Sequence, residues 1–313
     1  MIQANIHPEA FMRLTDESIA ALRRAYPEAV FREQEMLCAH TSFKIGGPAA
    51  VMAFPSSVQS LAGLLRAARE LGVQPRVLGA GTNVLAPDEG LDELVICTKD
   101  ALMGLRQLSG GRIEAMAGQS LASAAVFARE HRLSGLEFAH GIPGTVGGGV
   151  YMNAGAYGGE IKQVVESVTV LTMDGALREY AGGELFSYRM SVFQTMPCVI
   201  GSAVFRLTPG EPETIQKTMH ELMLKRRASQ PLELPSAGST FKRPVCGYAA
   251  ALIDAAGLKG RGVGGAQVSQ KHAGFVVNTG GATARDVLAT ITMIQEEVYR
   301  SSGIHLAPEV RIW

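Results

Sequence analysis

Apolar positions recur along this chain with two periods, and the longer one is easier to read. After Pro55, Val58, Leu61, Leu64, Leu65, Ala68 and Leu71 fall on one helical stripe, with Gly72 placed for the C-terminal cap. Similar spacing predicts helices over 121–132, with Ser120 as N-cap and Gly135 beyond the end, over 214–227, and over 249–256, ended by Gly257. Thr283 and Asp286 form a capping-box pattern ahead of Val287, Leu288, Ile291, Ile294 and Val298. A sparser stripe, Leu14, Ile19 and Leu22, predicts a helix over 15–24 that Pro27 limits. Short apolar runs predict strands over 76–78, 164–173, 177–180 and 199–207, with Asp174-Gly175 as a hairpin turn between the second and third.

The helix, strand and glycine turn between residues 56 and 85 suit an α+β or α/β layer that presents a loop to a ligand. Everything up to about residue 208 then reads as one strand-rich body with helices outside, preceded by an appendage over 1–35. At 208–214 the segment TPGEPET, with two prolines and a glycine, marks a domain boundary, so a second unit is expected from 209.

Composition narrows the class without naming it. A chain of 313 residues, 47% hydrophobic and 19% charged, is long enough for more than one domain. Lysine plus arginine equals aspartate plus glutamate at 29 each, so net charge points to neither nucleic acid nor an anionic membrane surface. The four cysteines, Cys38, Cys97, Cys198 and Cys246, are scattered and form neither a zinc pattern nor a disulfide framework. The start, MIQANIHPEAFMRL, lacks the features of a signal peptide, and no run of about 18 apolar residues occurs to span a bilayer. A cytoplasmic protein without a metal site is expected.

Two glycine-rich segments carry the candidate chemistry. In LGAGTNVL the dinucleotide pattern G-x-G-x-x-G fails at Val84, which leaves Gly79, Gly81, Thr82 and Asn83 in a turn whose amides can approach a pyrophosphate. On these residues alone an ordinary tight turn fits equally well. The segment GIPGTVGGGVYMNAGAYGG, residues 141–159, carries a conformational-entropy cost with no evident packing return, and so suggests backbone close to a flat or phosphorylated ligand. A compact loop between strands is the alternative.

The words HTSFKIGGPA, LGAGTNVL, GIPGTVGGGVYMNAGAYGGEI, YRMSVF, GSTFKRP, GLKGRGVGGAQVSQKHAGFVVN and APEVRIW stand in order from His40 to Trp313. Together they resemble the successive motifs of the UDP-N-acetylenolpyruvoylglucosamine reductases. The resemblance implies an α+β protein: an FAD-binding fold of the vanillyl-alcohol-oxidase type over 36–208 in two subdomains, a smaller α+β substrate-binding domain over 209–303, and a C-terminal segment, 304–313, that carries a catalytic glutamate. It implies noncovalent FAD, cradled by Gly79, Gly81, Thr82, Asn83, Pro143, Gly144, Thr145, Val146, Gly147, Gly148 and Asn153.

The same resemblance places the proton donor at Ser239, an arginine for the enolpyruvyl carboxylate at Arg189, and a third catalytic position at Glu309. Taken alone, Ser239 reads as a turn residue and Arg189 and Glu309 as an ion pair. The substrate's two phosphates call for cations, for which Arg226, Arg227 and Lys242 are the nearest candidates, although a basic helix end explains the first two equally. The implied reaction is ping-pong, with both substrates in one pocket: NADPH reduces bound FAD and leaves, and hydride then passes to the enolpyruvyl UDP-sugar in peptidoglycan precursor synthesis. Only small-molecule partners are expected. The short span from Leu207 to Ser239 resembles the smaller of two family types, and Lys44, Gly149, Gly274 and Ala307 depart from the family's usual residues.

Overall fold

The computed structural model describes residues 14–27, 29–245 and 247–313; the first thirteen residues of the expected appendage, Glu28 and Cys246 lie outside the described residues. A mixed sheet opens the structure. Strand β1 (Val30–Met36) runs antiparallel to β2 (Pro48–Phe54), and β3 (Arg76–Leu78) and β4 (Leu91–Cys97) run parallel to β2, in the order β1-β2-β4-β3. Strand β2 and residues 94–97 of β4 are continuous apolar runs because both of their faces are covered. Val51, Ala53, Leu94 and Ile96 join the main core, whereas Met52, Val95 and Cys97 fill a smaller one on the opposite face.

Helix α1 (Asp16–Ala25) packs on α2 (Val58–Glu70), as the apolar stripes of both require. Ile19 and Leu22 are buried in the main core and β1 pairs with β2, so α1 and β1 are an integral layer of the first body and not an appendage. Gly63 records the contact: a Cβ there would stand 2.0 Å from the Tyr26 ring.

A second sheet is wholly antiparallel. It contains β5 (Leu105–Leu108), β6 (Arg112–Met116), β7 (Val165–Thr172), β8 (Leu177–Ala181) and β9 (Cys198–Arg206), in the order β8-β7-β9-β6-β5. The expected Asp174-Gly175 turn joins β7 to β8, with Gly175 at φ +75°. Helix α3 (Leu121–Glu130) starts on Ser120, whose hydroxyl accepts from the Ser123 amide. The glycine segment holds a short helix that its composition concealed, α4 (Val146–Tyr151), capped by the Thr145 hydroxyl. Helix α5 (Pro212–Ser229) follows the TPGEPET boundary yet packs on the first body, burying Ile215 and Met219 in the main core. By packing, the change of core therefore falls after α5.

The second unit has its own core. A three-stranded antiparallel sheet, β10 (Gly262–Val263), β11 (Ala266–Val268) and β12 (Val276–Asn278), packs with α6 (Ala249–Ala255) and α7 (Ala284–Ser302). The predicted capping box of Thr283 and Asp286 is present, and Val287, Ile291, Ile294 and Val298 face inward while Leu288 is exposed. Phe43, Ile45 and Leu85 of the first body enter this core, so apolar packing as well as polar contacts joins the two units. The Asn278 side chain donates to the Phe43 carbonyl (3.1 Å) and the Ser42 hydroxyl to the Ser236 carbonyl (2.6 Å). Finally, β13 (Arg311–Ile312) returns to pair in parallel with Val84–Leu85 of the first body.

Asp88 forms another such tie, accepting from the first amides of α7, Ala284 (2.6 Å) and Arg285 (3.1 Å), where the helix dipole favours an anion. Replacing it by alanine should destabilise the protein by about 1 kcal/mol, as loss of a helix cap typically does. Urea unfolding followed by circular dichroism measures this, with a lower midpoint expected at unchanged slope.

Candidate active site

A cavity of about 1010 Å³ lies where the two units meet, at the upper end of the range for ligand sites. Its walls include Gly79, Gly81, Thr82, Asn83, Pro143, Gly144, Thr145, Gly147, Gly148, Arg189, Arg226, Ser239 and Glu309. Residues far apart in the chain, chosen from sequence for different roles, thus share one chamber.

The two glycine loops lie against each other on one wall. The Thr82 hydroxyl donates to the Pro143 carbonyl (3.0 Å), and a Cβ on Gly79 would stand 2.7 Å from the Thr145 hydroxyl. Gly81 has φ +60°, and a Cβ there would strike the His40 carbonyl at 2.2 Å, so this turn needs glycine on both counts. Between Ala80 and Asn83 no backbone N–H is taken by an acceptor among the described residues, which leaves a run of donors of the kind that receives phosphate oxygens. These residues fit a dinucleotide.

The second glycine segment behaves differently from its expected role. The Val146 amide donates to the Gln119 carbonyl (2.7 Å) and the Gly147 amide to the Ala117 carbonyl (2.9 Å), so neither is open to a ligand. Val146 is fully buried, and its side chain does not line the cavity. Several of the glycines answer to packing: a Cβ on Gly147 would stand 3.0 Å from that of Ala117, and one on Gly159 would stand 2.5 Å from the Phe138 ring. Gly144 and Gly148 line the cavity, with the Gly148 amide donating to the Thr145 hydroxyl (3.2 Å) and a Cβ on Gly144 standing 3.2 Å from the Thr82 hydroxyl.

Asn153 is also fully buried. Its side chain donates to the Glu160 carboxylate and to the Ser187 carbonyl, both at 2.9 Å, and accepts from the Lys162 amide. It braces the hairpin that carries Arg189 instead of lining the cavity.

Arg189 sits in that hairpin with φ +55°, an unfavourable conformation for a side-chain-bearing residue, which the paired flanks Phe186–Ser187 and Met190–Ser191 impose. Its guanidinium donates to the Gly155 carbonyl (3.0 Å) and stands 2.9 Å from the Glu309 carboxylate through Nε. The Nε contact is an ion pair without an aligned hydrogen bond. Both groups are largely withdrawn from water, with side chains 23% and 15% exposed, so the pair is not the surface bridge that sequence alone suggests. Burial pushes the Glu309 pKa above its ordinary value, and the charges of Arg189 and Lys242 oppose that rise.

Ser239 follows Gly238, which takes φ +76°; it is an exposed residue of the cavity wall, and its hydroxyl makes no hydrogen bond to any described residue. The neighbouring Thr240 carbonyl accepts from the Glu309 amide (2.8 Å), which ties serine and glutamate together through the backbone.

Of the candidate cations, Arg226 lines the cavity one turn before Gln230 on the same helix end. The Arg226 Nε and the Gln230 Oε1 are buried without a partner, and burial lowers the arginine pKa. Arg227 is exposed, with its carbonyl accepting from Lys271 (2.7 Å), and Lys242 acts on Glu309 from outside the lining. Sequence reading missed Gln194, Gln230, Tyr248, His272 and Arg311 on the walls. His272 accepts from the Gly274 amide through Nδ1 (3.1 Å), and burial lowers its pKa.

Residues 48–181 match the family model of an FAD binding domain, and residues 230–313 match one described as UDP-N-acetylenolpyruvoylglucosamine reductase, C-terminal domain. Fold, donor-lined turn and match together define a flavoprotein that binds FAD and whose cavity a second unit completes. The chain belongs to the UDP-N-acetylenolpyruvoylglucosamine reductase family. A protein of that name from Caldanaerobacter subterraneus subsp. tengcongensis is 45% identical over 93% of this chain and 96% of its own length. One from Levilactobacillus brevis is 44% identical over 94% and 96%. The solved structure of UDP-N-acetylenolpyruvylglucosamine reductase from Thermus caldophilus superposes with a TM-score of 0.77 at 36% identity, covering 91% of this chain and all of that one.

The electrostatics of Glu309 can be checked directly. In a carbon-detected NMR titration its carboxyl should titrate above the ordinary value of 4.5. A nearby cation favours the carboxylate, so Lys242→Met should move the midpoint higher still. A midpoint at or below that of a free glutamate would contradict the burial argument.

Proposed function

We infer that this protein reduces UDP-N-acetylenolpyruvoylglucosamine to UDP-N-acetylmuramate with electrons from NADPH, in peptidoglycan precursor synthesis. The observation that carries the reading is the convergence of Arg189, Ser239 and Glu309 on the cavity that the FAD-binding turn also lines. Bound FAD would supply the hydride-transfer chemistry between NADPH and the enolpyruvyl group.

The protein's own groups then have three tasks. Arg189 holds the substrate carboxylate with its planar donors and draws charge toward it, which polarises the double bond. Ser239, with a hydroxyl free to turn into the cavity, gives a proton to the carbon next to the one that receives hydride. Glu309 holds Arg189 in place and lines the same cavity as Ser239, where it takes part in handling the proton. The Gly79–Asn83 turn with Gly144 and Gly148 receives the dinucleotide, and Arg226 with Gln230 offers unpaired polar atoms to a phosphate or sugar of the second ligand. Among the described residues no helix is long and apolar enough to cross a membrane. With nucleotide substrates, we place the activity in the cytoplasm with small molecules as its partners.

The test separates the two half-reactions. NADPH added anaerobically should bleach the flavin absorbance of the wild-type protein, and the enolpyruvyl UDP-sugar should restore it. In Ser239→Ala, bleaching should proceed at an undiminished rate while restoration slows by about 10²–10⁴-fold, the usual contribution of a general acid. A protein that takes up no flavin on reconstitution, or a Ser239→Ala variant that restores colour at the wild-type rate, would defeat the reading.

A further inference from the structure

Glu309 lies just ahead of the first paired residue of β13, since the register with Val84–Leu85 begins at Arg311. Its amide is held by Thr240 of the second unit (2.8 Å). Its carbonyl is held from the other wall, where the Asn83 side chain donates to it through Nδ2 (3.2 Å). The Asn83 carbonyl in turn accepts from the Arg311 amide (2.9 Å). Asn83 therefore brackets residues 309–311, with its side chain on Glu309 and its backbone on Arg311.

The motif containing Asn83 is expected to serve the cofactor, but its amide nitrogen is directed at the chain that carries the glutamate. We propose that Asn83 is the positioning residue for Glu309: its hydrogen bond fixes the 309–310 peptide, and with it the stand of the carboxylate against Arg189. Loss of this donor leaves the Glu309 carbonyl unpaired in a half-buried place and frees the peptide to rotate. A small rotation is enough to matter, because the carboxylate stands 2.9 Å from the Arg189 Nε and a shift of an ångström weakens the ion pair. Gly81, two residues earlier, keeps the turn close to His40 and so holds Asn83 at the right height.

The proposal rests on the function inferred above, and three readouts on the FAD-loaded protein test it. The variants are Asn83→Ala and Asn83→Asp, the second of equal size but without the N–H donors. With FAD saturating, restoration of flavin colour by saturating enolpyruvyl UDP-sugar should fall by roughly ten- to a hundredfold in both, the scale of a small misplacement of a reacting group, and by more than bleaching by NADPH falls. The Glu309 titration should move to higher pH in both, because a carboxylate that loses its guanidinium partner is harder to ionise. The proposal fails if FAD affinity drops tenfold or more while restoration is normal at saturating FAD, which would make Asn83 a cofactor ligand. It fails equally if both half-reactions slow alike or if the Glu309 midpoint stays put. Should the wild-type protein not use the enolpyruvyl sugar at all, the inferred function falls, yet the Glu309 titration in the variants still decides whether Asn83 sets its position.

Discussion

A half-buried carboxylate against a half-buried guanidinium is costly unless the backbone holds both in place, and the Arg189–Glu309 pair is held from several sides. Arg189 is offered by a tight hairpin in a strained conformation, with Asn153 bonded to the hairpin's base. Glu309 arrives on the last segment of the chain, between Thr240 of one unit and Asn83 of the other. The pair thus depends on the join between the units, and so does the cavity around it. That join combines apolar and polar parts, with Phe43, Ile45 and Leu85 inside the second core and Asp88 on the first turn of α7.

Glycine serves two purposes around the cavity. At Gly81 and Gly144 it permits backbone conformations that a side chain resists, and the turn between Ala80 and Asn83 keeps its amides for a ligand. At Gly147, Gly155 and Gly159 it lets segments touch, since a Cβ would meet Ala117, the Gly159 carbonyl or the Phe138 ring. The long glycine segment is the strongest mark of the family, but much of its glycine content builds the wall behind the ligand. Burial of α4 among its neighbours supplies the packing return that composition alone did not reveal.

The candidate chemistry was legible in unequal parts. Ser239, Arg189 and Glu309 could be named only through motif resemblance, because each is ordinary in its local context. Their meeting depends on contacts between residues distant in sequence, which no local pattern encodes. Val146 and Asn153 sit in the right motif but turn inward, one as core and one as a brace. Gln230 and His272 reach the cavity from helix and loop positions whose direction follows from how α5 and the second unit pack.

By itself the sequence determined the elements whose signals are local. Helices α2, α3 and α7 carry their own stripes and caps, and the Asp174-Gly175 hairpin and β3 fall where period and turn residues put them. Tertiary structure decided what local signals leave open. Strands β1, β5 and β6, with many charged residues, are strands because neighbours complete their ladders, and α1 and α5 belong to the first body because their few apolar residues meet its core. The active pair was decided there too. Helix and hairpin preferences act over a few residues, whereas burial, register and the meeting of Arg189 with Glu309 are set by the whole chain at once.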